Sequence, residues 1–553
     1  MEAQKNLMKK KTSIILLSIY LLNISCNQKQ KADTLFYNAK VYSVDSVNST
    51  FTAFVVKEGK FLAIGDEREL LSKYAVNEKI DVGWKFVYPG FNDAHAHFYG
   101  FGLYLQQVDL TKTKSWNEVI ERCKLFYKNH PDLKCLTGRG WDQNDWEIKE
   151  FPANDELNKL FPNIAVMLKR VDGHAAIVNY FLLNKSGINK NTKISGGEIV
   201  LKNEIPTGVL IDNAFDIVKK YIPEISKEEK INALIEAEKN CFQNGLTSLC
   251  DAGLDRDMIE LIDSLQRSGK LSMRIYAMIN ASENNINYYL KREPYKTDKL
   301  TVCSFKLYAD GALGSRGACL LHPYSDKKNN YGFLLSDKEK LEKTVLQISQ
   351  SKYQLCTHCI GDSANRLMLN LYAKYLKGKN KKRWRIEHAQ VIDENDFKYF
   401  GAYNIIPSVQ PTHATSDMKW AINRLGKERL KNAYAYKKLL DQNGWLPLGT
   451  DFPVESVNPF FTFYSSVSRK DENGLPQNGF QIENALTREE TLRGMSIWPA
   501  KAAFEEKEKG SIEPGKFADF IILDVDLLKN EMTNIRNSKV KATYLNGILV
   551  YTN

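Results

Sequence analysis

The amino-acid sequence predicts an α/β fold: a (β/α)8 TIM-like barrel, with a small β-sandwich built from both termini and an insertion after the first barrel strand. Three observations predict it: apolar strands alternate with helical stretches in the middle of the chain, both ends are rich in strands, and one interval between strands is too long for a single crossover helix. With 553 residues, 43% of them hydrophobic and 26% charged, the chain is not mainly disordered.

The first 26 residues resemble a bacterial targeting segment. A basic stretch, Lys9 to Lys11, precedes an apolar run over residues 14–22 that is too short to form a stable membrane-spanning helix. The small residue Ser25 then stands before Cys26, as in a lipobox. This similarity implies a lipoprotein signal peptide, residues 1–26, with a lipid anchor on Cys26. An ordinary cleaved signal peptide is the alternative.

The polar segment 27–32 is expected to be a disordered tether between this anchor and the folded body. We therefore expect an exported, membrane-anchored lipoprotein that faces the periplasm or lies at the outer membrane. Removal of residues 1–25, which carry four Lys and one Glu, lowers the formal charge from +11 to +8. Basic residues do not form a stripe with interleaved aromatics, so the sequence predicts no nucleic-acid partner.

Strand-rich segments at the two ends of the mature chain are expected to form one β-sandwich, residues 33–84 and 505–553. The C-terminal part contains an Asn546-Gly547 turn, which is typical of a β-hairpin. The barrel is expected between these segments, over residues 85–504.

Eight apolar segments between the ends are candidate strands, which is the number that a (β/α)8 barrel requires. They are residues 86–97, 246–252, 274–280, 302–309, 353–360, 384–389, 404–409 and 446–451. The interval between the first two is much longer than one helix needs, so we expect an inserted subdomain at about 99–245.

Two histidines that stand two positions apart, His95 and His97, end the first candidate strand. Alternate residues of a strand point to the same face, so both imidazoles are directed to one place at the rim where barrel enzymes bind metals. His358, His388 and Asp451 end three further strands in the same way. The pattern predicts a divalent-metal site, whereas unrelated histidines and a turn-forming aspartate are the structural alternative.

This order of residues, with HxH after the first strand, histidine after the fifth and sixth, and aspartate after the eighth, resembles the amidohydrolase superfamily. Other segments are similar to amidohydrolase family three, whose members resemble N-substituted formamide deformylases: residues 140–143, 172–175, 305–318, 358–362, 386–390 and 408–418. The similarity covers about 33–551. It implies a metal-dependent hydrolase that cleaves the C–N bond of a small amide, N-formyl amine or N-acyl amine.

The resemblance implies a set of metal ligands on the barrel strands: His95, His97, Lys306, His358, His388 and Asp451. A protonated lysine has no acceptor for a cation, but carboxylation would make Lys306 an anionic bridge between two metals. Without this modification, we expect Lys306 to pair with a carboxylate and the site to hold one metal. Zinc is the expected metal because imidazole and carboxylate ligands suit it.

Asp451 and His174 are the implied catalytic residues. Asp451 would take a proton from the attacking water and pass it to the leaving nitrogen, and His174, in the insertion, would orient the substrate or polarise its carbonyl. The resemblance also implies substrate-binding residues: Trp141, Asp142, Gln143, Asp310, Arg316 and His413. A structural role for His174 or His413 is equally compatible with the sequence.

Two other functions are compatible with the same sequence. One is hydrolytic deamination of a cyclic amidine, which would share the barrel and would not need a bridging lysine. The other is a non-catalytic, lipid-anchored binding protein on an amidohydrolase fold, which is disfavoured because all six expected ligand positions are filled. Whether the chain forms a homodimer stays open.

Overall fold

Seven parallel strands curve around the centre of the protein in the computed structural model, which describes residues 29–553. In order around the sheet, they are Phe91–Ala96, Leu246–Leu254, Arg274–Asn280, Leu300–Tyr308, Gln354–Cys359, Arg385–His388 and Ile406–Ser408. A short strand, Tyr295–Lys296, pairs with the fourth of them. Because the seven strands are parallel, their carboxyl ends meet at one rim.

The eighth segment closes the ring through single contacts. Leu448 forms a parallel bridge with Val409 of the neighbouring segment. On its other side, the Ala94 N–H donates to the Leu448 carbonyl oxygen at 3.1 Å, and the Asp451 N–H donates to the His95 carbonyl oxygen at 2.8 Å. These contacts join the last segment to the first strand, and the predicted TIM-like barrel is confirmed.

The sequence pattern predicted one strand over residues 86–97, and this prediction is wrong. Phe86–Pro89 belongs to a terminal sheet and Phe91–Ala96 to the barrel, with Gly90 between them. A Cβ at Gly90 would lie 2.2 Å from Thr247 Oγ1, so only glycine lets the chain pass from one sheet to the other at this point.

There are two terminal sheets, one built from N-terminal strands alone and one that combines strands from both ends of the described chain. The four-stranded sheet has the order Lys60–Gly65, Ala53–Lys57, Gln30–Tyr37, Tyr74–Asp81. The six-stranded sheet has the order Ile548–Thr552, Val540–Leu545, Phe520–Leu523, Phe86–Pro89, Lys40–Tyr42, Thr50–Phe51. Aromatic rings from both ends pack between them; Phe36 lies 4.9 Å from Phe520 and 5.2 Å from Tyr544 between ring centroids.

The predicted signal peptide, residues 1–26 with Cys26, lies outside the described residues. The predicted tether, residues 27–32, is too long, because the first strand already begins at Gln30. Its first residues pair in parallel with the strand Tyr74–Asp81, and this ladder makes them part of the sheet. Within residues 29–553, no helix combines the length and the apolar character that a membrane span requires.

Most of the long interval between the first two barrel strands forms a sheet of its own. Its strand order is Gly197–Lys202, Ile205–Asp212, Ala175–Val178, Ala165–Arg170, Cys135–Trp141, Val108–Asp109. Four helices accompany it: Trp116–Asn129, Asp155–Leu160, Tyr180–Ser186 and Asp216–Lys219. The sheet buries its own apolar clusters, one of which includes Trp141, Leu168 and Ile177. We call this unit, Val108 to Lys219, the insertion.

Helices connect the barrel strands, and three more helices follow the eighth segment. They are Phe98–Tyr104, Lys227–Gln243, Arg256–Arg267, Glu283–Tyr289, Lys338–Ser349, Asp362–Leu376, Lys398–Tyr403, Pro411–Leu430, Tyr436–Asn443, Pro459–Ser468, Arg488–Gly494 and Ile497–Ala502. Short helices near the termini are Glu67–Lys73 and Met532–Arg536. Ser226 is the N-cap of the helix Lys227–Gln243, which leads from the insertion to the second barrel strand, and it forms a reciprocal capping box with Glu229.

We predict that Gly449→Ala destabilises the barrel where its last segment meets its first strand. An added Cβ would lie 2.6 Å from the backbone nitrogen and 2.8 Å from the carbonyl oxygen of His95, so the two segments would have to separate. The free energy of unfolding, measured in urea, should fall by about 1–3 kcal/mol. Gly65→Ala is the matched control, because its Cβ would meet nothing closer than the Glu69 carboxylate at 3.4 Å. Equal stability of the two variants would contradict the prediction.

Candidate active site

The carboxyl ends of the barrel strands and one edge of the insertion enclose a cavity of about 530 Å³. Six of the residues that line it are His97, His174, His358, His388, His413 and Asp451. His95 lies directly beneath, fully buried, with its ring centroid 5.5 Å from that of His97. The structure therefore brings the histidines of three barrel strands together at one rim.

The two histidines of the first strand are each held by one ring nitrogen. His95 Nδ1 lies 2.5 Å from Glu387 Oε2, and His97 Nδ1 lies 3.0 Å from the carbonyl oxygen of Ala252. Both partners accept hydrogen bonds, so they fix the protonated nitrogen as Nδ1 and leave Nε2 as an acceptor. This is the state in which an imidazole binds a metal.

Glu387 was not singled out from the sequence, although it stands next to His388. It is fully buried and forms an ion pair with Arg385, with 2.6 Å between Nε and Oε1. Burial alone would raise the pKa of Glu387, but Arg385 and His95 outweigh it and hold the pKa well below its usual range. The two-residue period of the sixth strand places Arg385 and Glu387 on one face, which is the signal that could have found this pair.

Asp451 is the carboxylate that the histidines share. Its Oδ1 lies 3.2 Å from His97 Nε2 and 3.6 Å from His95 Nε2, and its Oδ2 lies 3.4 Å from His413 Nε2. Two groups of side chains, each with ligand atoms within 4.8 Å of one another, contain it: His95, His97 and Asp451, and His388, His413 and Asp451. Asp451 adopts a left-handed φ of 64°, which a residue other than glycine seldom does.

The donor set around Asp451 Oδ1 fits a divalent cation. Oδ1 is buried without a hydrogen-bond partner among the described residues, and the Nε2 atoms that face it are acceptors as well. Acceptors that face one another at these distances need a cation between them. Burial raises the pKa of Asp451, but its contact with His413 outweighs burial and helps hold the pKa well below its usual range, so the carboxylate is charged.

The second group differs because His413 carries a proton. Burial lowers the pKa of His413, but its contact with Asp451 outweighs burial and raises the pKa to about 9. His388 is held through Nδ1, which lies 2.7 Å from Gln410 Oε1. Burial, followed by the neighbouring charge of His95, lowers the pKa of His388 well below its usual range. This group can bind a cation only after His413 loses its proton.

Lys306 and His358 lie beside these groups. Lys306 is buried with its Nζ 3.2 Å from His95 Nε2, and burial lowers its pKa to about 8. The ring of His358 lies 4.6 Å from that of His388 between centroids, but its Nε2 lies 3.5 Å from the Gly311 carbonyl oxygen. Neither residue belongs to the two groups around Asp451.

Asp142 lines the cavity as part of a buried ion-pair network. Arg170, 1% exposed, lies between two carboxylates: it pairs with Asp142 through Nη2 and with Asp172 through Nη1, which is 2.5 Å from Oδ2. Arg170 Nε also donates to Gln143 Oε1 at 2.9 Å. Gln143 therefore supports this network and does not line the cavity.

Three further residues that were expected to bind substrate do not contribute to the lining of the cavity. Trp141 is buried in the apolar core of the insertion, where its Nε1 donates to the Leu168 carbonyl oxygen at 2.8 Å. Arg316 pairs with Asp326 at 2.9 Å. Asp310 is fully buried, and its carboxylate accepts three backbone N–H groups, those of Cys319, Ile360 and Gly361.

His174 and His413 do reach the cavity. His174 Nδ1 lies 2.6 Å from Asp212 Oδ1, a partner that the sequence did not reveal. His174 and Asp212 both belong to the insertion, which therefore supplies part of the cavity wall.

A barrel rim with paired strand-end histidines, a shared aspartate and an adjacent lysine defines a metal-dependent hydrolase of the amidohydrolase kind. The chain belongs to the amidohydrolase family, whose model matches residues 78–551. It is an enzyme, a hydrolase that acts on carbon–nitrogen bonds.

Known proteins resemble it over almost their full length. The chain is 30% identical over 542 residues to Protein LONG AFTER FAR-RED 3 of Arabidopsis thaliana, covering 94% of this chain and 92% of that one. It is 25% identical over 544 residues to the N-substituted formamide deformylase of Arthrobacter pascens, covering 94% and 99%. The crystal structure of an uncharacterized metal-dependent hydrolase from Pyrococcus horikoshii superposes with a TM-score of 0.73 at 26% identity, covering 90% of this chain and 99% of that chain.

We predict that Gln410→Leu weakens metal binding about 10- to 100-fold, because the variant removes the acceptor that orients His388. Gln410→Glu keeps an acceptor for His388 Nδ1 and is the matched control. Metal dissociation constants from competition with a chelator measure both variants, and circular dichroism checks that both are folded. Unchanged affinity in Gln410→Leu would show that the contact with His388 is not needed.

Proposed function

We propose that the protein hydrolyses small N-acyl amines, with N-formyl and N-acetyl amines as the substrate class, by adding water to the amide carbon at a divalent-metal centre. The observation that carries the proposal is the charged Asp451, whose oxygens face His95, His97 and His413 at the base of the cavity. The 25% identity to an N-substituted formamide deformylase supports the same substrate class.

A divalent cation at this site would lower the pKa of water and withdraw electron density from the substrate carbonyl. Asp451 accepts a proton from the attacking water, while the water oxygen bonds to the amide carbon. The C–N bond then breaks, and Asp451 returns the proton to the leaving nitrogen, so acid and amine are released. The low pKa of Asp451 keeps it in the charged form that accepts the first proton.

Zinc is the metal that we propose, because the available ligands are imidazole nitrogens and carboxylate oxygens. His95, His97 and Asp451 would hold the first ion. His358, His388 and a carboxylated Lys306 would hold a second ion. Burial lowers the pKa of Lys306 to about 8, which raises the neutral fraction of the amine that reacts with CO₂ to give a carbamate.

We also propose that the enzyme acts outside the cytoplasm as a lipoprotein. The support is the sequence of residues 1–26: a basic start, a short apolar run, and Ser25 before Cys26.

We predict that Asp451→Asn lowers kcat for N-formyl and N-acetyl amines by about 10²- to 10⁴-fold, because the amide cannot accept the proton. Metal content, measured by mass spectrometry, separates loss of metal from loss of the base. Asp441→Asn is the matched control, since its side chain is 60% exposed on a helix surface, where it pairs with Lys437.

Full amidase activity in a folded, metal-loaded Asp451→Asn variant would contradict the proposal. So would ammonia release from cyclic amidines without any amide hydrolysis, which would indicate a deaminase.

We predict that the wild-type protein holds two zinc ions per chain and that Lys306→Met holds one. Methionine fills the space of the lysine but cannot form the carbamate bridge. The number of zinc ions bound per chain, measured after growth in zinc and removal of free ions, tests this prediction. One ion in both proteins would show that Lys306 is not a bridging ligand.

A further inference from the structure

A histidine–carboxylate pair faces the cavity from the insertion. His174 Nδ1 lies 2.6 Å from Asp212 Oδ1, and the Asp212 N–H donates to the His174 carbonyl oxygen at 2.8 Å. Among the residues that the structure describes, neither belongs to a group that could hold a metal ion. The Asp212 side chain is 2% exposed, whereas His174 keeps 17% of its side chain open where it lines the cavity.

The loop after the fourth barrel strand is shaped around the Asp212 carboxylate. A Cβ at Gly311 would lie 2.3 Å from Asp212 Oδ2, and a Cβ at Gly317 would lie 2.4 Å from it. Asp212 adopts a left-handed φ of 49°, a conformation that is costly for a residue other than glycine. This packing holds the other carboxylate oxygen, Oδ1, against the His174 ring.

The backbone of His174 is fixed separately. The His174 N–H donates to Asp172 Oδ1 at 3.0 Å, and the other oxygen of Asp172 pairs with the buried Arg170. With the backbone held and Nδ1 occupied by Asp212, Nε2 is the ring nitrogen that remains for a ligand in the cavity. The ring lies 5.0 Å from that of His358 between centroids, so a ligand at the histidine cluster is within its reach.

We propose that Asp212 is a positioning residue that fixes His174 as the Nδ1–H tautomer, and that His174 Nε2 accepts a hydrogen bond from the N–H group of a secondary amide. The inference rests on the proposed function, because it assigns a substrate class to the same cavity. N-monosubstituted amides are then preferred to N,N-disubstituted amides, which have no N–H to donate.

The proposed hydrogen bond follows from the donors and acceptors of the two groups. A neutral His174 ring that donates its Nδ1–H to Asp212 has one acceptor left, Nε2. The reacting group of a secondary amide substrate has one donor, its amide N–H.

The test compares two substrates on the same sample of metal-loaded enzyme, so that the folded fraction cancels. The substrates are N-benzylformamide and N-benzyl-N-methylformamide, and the measured quantity is the ratio of their kcat/KM values. We expect His174→Leu and Asp212→Ala each to lower the wild-type preference for the N–H substrate about tenfold. Asp216→Ala, a change of an aspartate that is 56% exposed and pairs with Lys219, should leave the ratio unchanged.

The double variant separates positioning from an independent effect. If Asp212 acts through His174, the ratio in the double variant should equal the ratio in His174→Leu. A ratio that stays within twofold of wild type in both single variants overturns the proposal. So does an equal loss on both substrates, which a purely structural role would produce.

A second measurement does not depend on turnover. The chain has eight histidines, so ¹⁵N NMR of histidine-labelled, zinc-loaded protein at pH 8 can assign His174 by the signal missing in His174→Leu. A protonated Nδ1 with a bare Nε2, lost in Asp212→Ala, supports the proposal. A protonated Nε2 in the wild type overturns it, even if neither formamide is hydrolysed. Inactivity toward both formamides would instead count against the proposed function.

Discussion

The architecture of the site depends on one electrostatic constraint: several hydrogen-bond acceptors are held facing one another around the Asp451 carboxylate. Such an arrangement is repulsive unless a cation occupies it. The protein maintains it by fixing each histidine through its other ring nitrogen. Glu387, Ala252 and Gln410 accept from His95, His97 and His388, and each comes from a different barrel strand or the segment after it. The ligand atoms are thus aligned by the closed barrel, and no single segment could align them alone.

Glycines stand where the segments that form the site approach one another most closely. Gly449 lets the last segment lie against the backbone of His95, and this contact places Asp451 beside the first strand. Gly311 and Gly317 let the loop after the fourth strand receive the Asp212 carboxylate from the insertion. The insertion therefore contributes side chains to the active site. Its polar residues, Asp212 and Arg170, pack on a barrel loop and bring His174 and Asp142 to the cavity.

The sequence predicted the barrel and the positions of the strand-end residues, because period-two patterning and the common rim of parallel strands are local rules. It could not predict pairs such as His95 with Glu387, which are 292 residues apart and meet only after the barrel closes. It also assigned Trp141 to the substrate, since a tryptophan in a motif does not show which face of its strand is covered. The structure buries that face inside the insertion.

The most direct test of this account is anomalous X-ray diffraction at the zinc absorption edge, from crystals of the zinc-loaded protein. The account predicts a peak about 2.0–2.2 Å from His95 Nε2, from His97 Nε2 and from an Asp451 oxygen. A zinc-loaded, active protein with no peak among these three residues would contradict it.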